Sequence, residues 1–223
     1  MSKFAFLARP DPTQLMKHVE DLRSQLDGIS KTGDLQLMAW KTGSEATQLA
    51  DGRSAFSFQL WNEPVHLVHP GWIAYSQVTD QELPVVNQAL ILYYFITADG
   101  TKPENQWVSF GDLPSGRFYN QAFQGYTGAE LARHFQNDFL RFESAARQSN
   151  GQQPAPDASL PGDRAFTFQT LPRLAVLVVY WQGDEDFPAS AQVLFQNTVP
   201  HYLPTDVCAF VGSALTRRLI KLG

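Results

Sequence analysis

The run Leu174-Ala175-Val176-Leu177-Val178-Val179-Tyr180-Trp181 narrows the possible folds more than any other stretch of this chain. It contains no charge and no turn former, and its β-branched and aromatic side chains read as a strand. A strand with one wet face alternates apolar and polar residues. This one is apolar on both faces, so both need cover, from helices or from helices and a neighbouring sheet. Arg164–Thr170 before it and Ala191–Phe195 after it also read as strands, and a helix is predicted from about Thr205 to Lys221. These sixty or so residues fall below the ~70–80 at which a single core usually sustains itself. The strands are therefore expected to share one sheet with earlier parts of the chain.

Those earlier parts supply both periods. Leu15, Val19, Leu22 and Leu26 form a helical stripe after Pro12, with Gly28 as a natural stop. Phe56, Phe58 and Leu60 alternate with Ser57 and Gln59; Asn62-Glu63-Pro64 turns the chain into Val65–Val68, and Trp72–Tyr75 follows Pro70-Gly71. Thr79 with Glu82 has capping-box spacing and predicts a helix running through Val86, Leu90, Tyr93 and Thr97 to Asp99-Gly100. Trp107–Phe110 is strand-like, Leu113–Gly116 a turn, and Phe118–Phe123 a short helix. Thr127 with Glu130 predicts one helix whose stripe is Leu131, Phe135, Phe139, Phe142 and Ala146. Residues 149–163 are rich in Pro, Gly and Gln and read as an exposed loop. The expected fold is one α+β domain over 1–223, with a mainly antiparallel sheet of about five to six strands against about four helices. Ala55-Phe56-Ser57-Phe58-Gln59 and Ala165-Phe166-Thr167-Phe168-Gln169 nearly repeat. Because the likeness does not extend to the helices, we read it as alternating Phe recurring on one-sided strands.

Composition excludes several functional classes. Apolar residues make up 43% and charged ones 17%, which rules out intrinsic disorder. The net charge of −5 lacks the basic footprint of a nucleic-acid binder. A single cysteine, Cys208, cannot form an intramolecular disulfide, a four-cysteine zinc site or an iron–sulfur site. The most apolar stretch, Val85–Ala98, falls short of the ~18–20 residues of a membrane span and reads as a buried helix. The apolar run up to Ala8 is shorter than the ~7–15 residues of a signal h-region and is interrupted by Arg9-Pro10-Asp11, so a cytoplasmic protein that does not span a membrane is expected.

Few residues point to chemistry. His66 and His69, three apart on a strand, face opposite ways and cannot readily share a metal. His18, His134 and His201 have no second ligand close by in sequence. Cys208 sits among apolar neighbours and reads as a buried, inert thiol. Gly183-Asp184-Glu185-Asp186-Phe187-Pro188 places three adjacent carboxylates between two apolar strands, where water, a cation or a basic partner must screen them. Trp107, Arg117 and Tyr119 flank the Pro-Ser-Gly turn, as aromatic and guanidinium groups lining a pocket often do; Trp181 precedes the acidic turn. A solvated hairpin tip and an ordinary packed loop explain the same patterns.

Several segments in order, Ala89–Gly100, Trp107–Pro114, Leu171-Pro172, Tyr180-Trp181 through Asp184–Ala189, Leu194-Phe195 and His201–Thr205, resemble the uncharacterised family "domain of unknown function 3786" over roughly residues 80 to 220. Some of its relatives carry an iron–sulfur module beside this domain, which implies association with corrinoid or other metallocofactor proteins. This chain lacks the cysteines of such a module. Its expected role is a soluble, non-catalytic accessory or binding protein without a cofactor, serving a metallocofactor-bearing or other protein partner. Its candidate surface is Asp184, Glu185, Asp186, Trp181, Trp107, Arg117 and Tyr119. The alternative is a small-molecule enzyme using Asp184, Glu185 or Asp186 as acid/base or metal ligands.

Overall fold

A computed structural model describes residues 12–154 and 162–223. The chain is α+β, and the expected single sheet of five to six strands is two four-stranded sheets. Alternation in the sequence marks a strand's wet and dry faces but not its partner, so it could not separate them. The chain divides into two compact units interleaved along the sequence. The first holds residues up to Pro103, Thr170–Leu174 and Thr198–Val207; the second holds Glu104–Gln169, Ala175–Asn197 and Cys208–Gly223.

In the first unit, α1 (Pro12–Thr32) buries the predicted stripe Leu15, Val19, Leu22 and Leu26, but runs past Gly28. Helix α2 (Leu35–Thr42) starts at Asp34, whose side chain accepts from the Gln36 N–H at 2.8 Å, and stops at Gly43 with φ of 67°. Strands β1 (Glu45–Gln48), β2 (Ser54–Leu60), β3 (Glu63–His69) and β4 (Ile73–Ser76) pair in sequence order as an antiparallel meander. Trp61 and Asn62, at φ of 54° and 64°, form the two-residue turn between β2 and β3; positive φ at both positions matches the right-handed twist of the strands. The dry face stacks Phe56 and Phe58 against Phe95 of α3 (Val85–Thr97), with ring centroids 5.3 and 5.5 Å apart.

Helix α3 begins at Val85, not at the predicted Thr79–Glu82 box. Residues 81–83 are engaged along β4 instead: Tyr75 bridges Glu82, and the Leu83 N–H donates to the Ala74 carbonyl at 2.9 Å. Gln88, buried, then ties the helix to that strand. Its Oε1 accepts from the Ala74 N–H at 2.8 Å, and its Nε2 donates to the Ala74 and Leu83 carbonyls at 3.0 and 3.3 Å.

In the second unit the helices are α4 (Asn120–Tyr126), α5 (Gly128–Phe135) and α6 (Phe139–Gln148). The single helix expected from Thr127 onward is thus two. Thr127 hydrogen-bonds back to the Phe123 carbonyl rather than capping, and Gln136 turns the chain at φ of 50°. Asp138 restarts the helix by accepting from the Arg141 N–H at 3.0 Å. The Gln136 carbonyl freed by the break accepts from the Tyr180 hydroxyl at 2.8 Å.

The second sheet has the order β5 (Trp107–Ser109), β8 (Ser190–Gln196), β7 (Leu174–Trp181), β6 (Arg164–Leu171). Strand β7 is buried along nearly its whole length, as its two apolar faces require. Phe110, Phe123 and Phe195 form one aromatic cluster of this unit, and Phe142 packs on Phe166 and Tyr180 in another. Helix α7 (Thr205–Leu222) closes the chain and carries the buried Cys208. The two Phe-rich echoes each precede two further consecutive strands, β2 being followed by β3 and β4 and β6 by β7 and β8. Strand β2 is the second strand of its meander, however, whereas β6 is an edge strand. Part of the predicted loop, 155–161, lies outside the described residues; just before it, Gln152 and Thr167 exchange backbone bonds at 2.9 and 2.8 Å. Among the described residues, no helix is long and apolar enough to cross a membrane.

Candidate functional site

The acidic turn joins β7 to β8 and is closed by its own backbone. The Asp184 N–H donates to the Phe187 carbonyl at 2.8 Å, while Asp184 Oδ1 accepts from the N–H groups of Asp186 and Phe187 at 2.9 and 2.8 Å. This Asx turn explains one of the three carboxylates structurally. Gly183 admits no side chain, because a Cβ there would lie 2.5 Å from the Ala189 nitrogen. Its N–H donates to Asn137 Oδ1 at 2.9 Å, which fastens the turn to the break between α5 and α6.

All three carboxylates are exposed, and none is in an ion pair with a described residue. Phe187 beside them is 71% exposed. An open groove of about 650 Å³ runs alongside, between Ala129, Ala132 and Arg133 of α5 and the segment Pro188–Ala191.

The other predicted residues lie in the same unit but at separate places. Trp107 and Trp181, both half-buried, each pack against the cluster of Leu177, Val179 and Leu194 on one face of the second sheet, Trp107 beside Gln196 and Trp181 beside Ser190. Arg117 is exposed on a single 3-10 turn, and Tyr119 packs its ring on Phe110 and Tyr126, with centroids at 6.4 and 6.2 Å. Burial pushes the Tyr126 phenol well above its ordinary range. No hydrogen bond, ion pair or ring contact among the described residues joins Arg117 or Tyr119 to the acidic turn. Phe118, at 96% exposure, is the most exposed aromatic of that loop, and the sequence reading did not single it out.

The first unit assembles a polar cluster that sequence reading missed. His201 Nδ1 meets Asp99 Oδ2 at 2.6 Å and Thr101 Oγ1 at 3.2 Å, although about a hundred positions separate them. The Thr101 N–H donates to Asp99 Oδ1 at 2.9 Å, and the Tyr202 hydroxyl donates to the Thr101 carbonyl. The Thr101 N–H, together with His201, holds the Asp99 carboxyl down at about 2.

Tyr94, fully buried, stacks on Tyr202 at 5.7 Å. Its hydroxyl donates to the Thr42 carbonyl at 2.7 Å and accepts from the Arg173 N–H at 3.1 Å. Arg173 Nη2 donates to the Trp40 carbonyl at 2.8 Å, with the guanidinium 5.7 Å from the Trp40 ring centroid. Three segments that carried the resemblance, ending at Gly100, around Leu171-Pro172 and at His201–Thr205, therefore meet in one place. Chemically, a carboxylate on Nδ1 fixes an imidazole's orientation and leaves Nε2 for another partner. Only spacing in three dimensions could have revealed the pair.

His66 and His69 do point apart, as their spacing predicts. His66 lies beside Tyr75 on the wet face of the first sheet, with centroids 5.5 Å apart, while His69 packs on Trp72 at 4.5 Å. Among the described residues, no three His, Cys, Asp or Glu side chains are grouped to hold a metal ion.

A family model described as Domain of unknown function (DUF3786) matches residues 34–218. No curated protein and no solved structure matches the chain.

Proposed function

We propose, for a chain that belongs to the DUF3786 family, that it acts in the cytoplasm as a non-catalytic binding protein. In this reading it presents the acidic turn and its neighbouring groove to a basic segment of a protein partner. One observation supports this above the rest. The turn satisfies its own backbone through Asp184 yet leaves Glu185, Asp186 and a 71%-exposed Phe187 facing water beside a groove. Adjacent like charges and an exposed aromatic ring both cost the isolated protein, and a basic, apolar-edged partner would offset both. None of the three carboxylates is in an ion pair with a described residue, and no three His, Cys, Asp or Glu side chains among the described residues are grouped to hold a metal ion, which favours binding over the acid/base alternative.

The test is capture from the native lysate by the intact protein and by a Glu185→Gln/Asp186→Asn/Phe187→Ser variant that retains Asp184. The wild type should retain a stoichiometric partner whose capture weakens steeply with salt, as charge-steered contacts do. The variant should lose it. Metal analysis of the captured complex decides whether that partner is metallocofactor-bearing. Equal capture by both proteins would overturn the assignment of this surface.

A further inference from the structure

The wet face of the first sheet is a groove of about 480 Å³. The register places Ser57, His66 and Tyr75 in one rung across β2, β3 and β4, and Thr47, Ala55 and Val68 in the next across β1, β2 and β3. Ala55 and Val68 are buried and small, so they make a smooth apolar floor. The His66 and Tyr75 rings, inclined at 34°, rise beside it as a wall.

Several fully buried polar groups of this protein find partners inside it. The hydroxyls of Tyr94, Tyr180 and Tyr202, the Trp72 indole N–H and the Gln88 amide all do so. The half-buried side chains of Ser57, His66 and Tyr75 do not: none makes a hydrogen bond to a described residue, and neither does Thr47. Half-buried hydroxyls and an imidazole left unpartnered over an apolar floor are the composition of a small-molecule site.

Charge at the groove is divided between two corners. Arg53 stands in the turn before β2. Its own N–H and its Nε both donate to the Asp51 carboxylate, at 3.0 and 2.7 Å, which sets the arm and leaves its outer nitrogens for a second acceptor. Asp80 follows β4 and so lies at the opposite corner. A guanidinium edge matches a carboxylate in a planar, two-bond fork, and the floor and ring wall suit a flat body.

We propose that this groove is a binding site for a small, flat organic carboxylate, its anion at Arg53 and its body on Ala55 and Val68 between the floor and the His66–Tyr75 wall. This site is independent of the acidic-turn surface, so either can fail without the other.

The experiment is a two-dimensional NMR titration of the intact protein with benzoate, with benzamide as a neutral flat control and benzylamine as a cationic one. Benzoate at millimolar concentrations should shift the amides of Ser57, His66 and Tyr75 saturably. Benzamide and benzylamine should bind at least about fivefold more weakly, a modest demand on a partly exposed charged fork. Arg53→Gln, an exposed substitution, should remove the preference for benzoate over benzamide. An Ala55→Leu variant, which fills the floor, should abolish binding of both; amide exchange elsewhere in the sheet verifies that it has folded. No saturable shift at these amides, equal binding of benzoate and benzamide, or a preference for benzylamine would each overturn the proposal.

Discussion

Asp184, Glu185 and Asp186 look interchangeable in the sequence, but the turn divides them, and mutation should expose the division. Asp184 Oδ1 accepts from two backbone N–H groups; the other two carboxylates accept none from a described residue. Asp184→Ala leaves both amides to water. The loop is exposed, so the loss resembles that of an exposed helix N-cap, about 0.5–2 kcal/mol, less a few tenths for relieved like-charge repulsion. About 1 kcal/mol remains, which for a chain of this size lowers Tm by about 2–4 °C. Asp184→Asn keeps an Oδ1 acceptor and should lose less. Glu185→Gln with Asp186→Asn removes only repulsion, so Tm should hold or rise slightly. That rise should vanish in 1 M salt, where the Debye length falls to about 3 Å. Differential scanning calorimetry of the four proteins at low and high salt provides the measurement. Equal destabilisation by Asp184→Ala and by the double neutral variant would refute the division, as would an unchanged Tm for Asp184→Ala.

Tyr94→Phe removes a buried hydroxyl that serves both the Thr42 carbonyl and the Arg173 N–H, and should cost about 2–3 kcal/mol in urea unfolding; a loss under 0.5 kcal/mol would mean both groups find other partners. Gln88→Met keeps the bulk but strands the buried Ala74 N–H, while the Ala74 carbonyl keeps the Leu83 N–H, and should cost about 1–3 kcal/mol by the same assay. The Asp99 carboxyl, ordinarily near 3.8, is held at about 2 in the fold. Its stabilisation is therefore fully present above its unfolded pKa and is lost as pH falls from about 4 toward 2. Urea midpoints measured across that range should fall more steeply for the wild type than for Asp99→Asn, and parallel curves would show that Asp99 is not the group responsible.

Local order was legible because its causes are local. The Leu15–Leu26 stripe, the alternating Phe56 and Phe58, the doubly apolar β7 and the divergence of His66 from His69 all follow from side-chain period against backbone geometry, which the sequence alone determines. The family resemblance was likewise carried by segments readable one at a time. Other features depended on competition between local signals and distant partners. The Thr79–Glu82 capping box lost to pairing along β4, and the continuous stripe after Thr127 broke where the Gln136 carbonyl meets the Tyr180 hydroxyl. Division into two sheets rests on which strand edges pair, and alternation carries no information about that. The contact between Asp99 and His201 joins groups about a hundred residues apart, and the groove over Ala55 and Val68 needs three strands in register before it exists. A sequence records what each side chain can do; only the closed chain decides which of them meet.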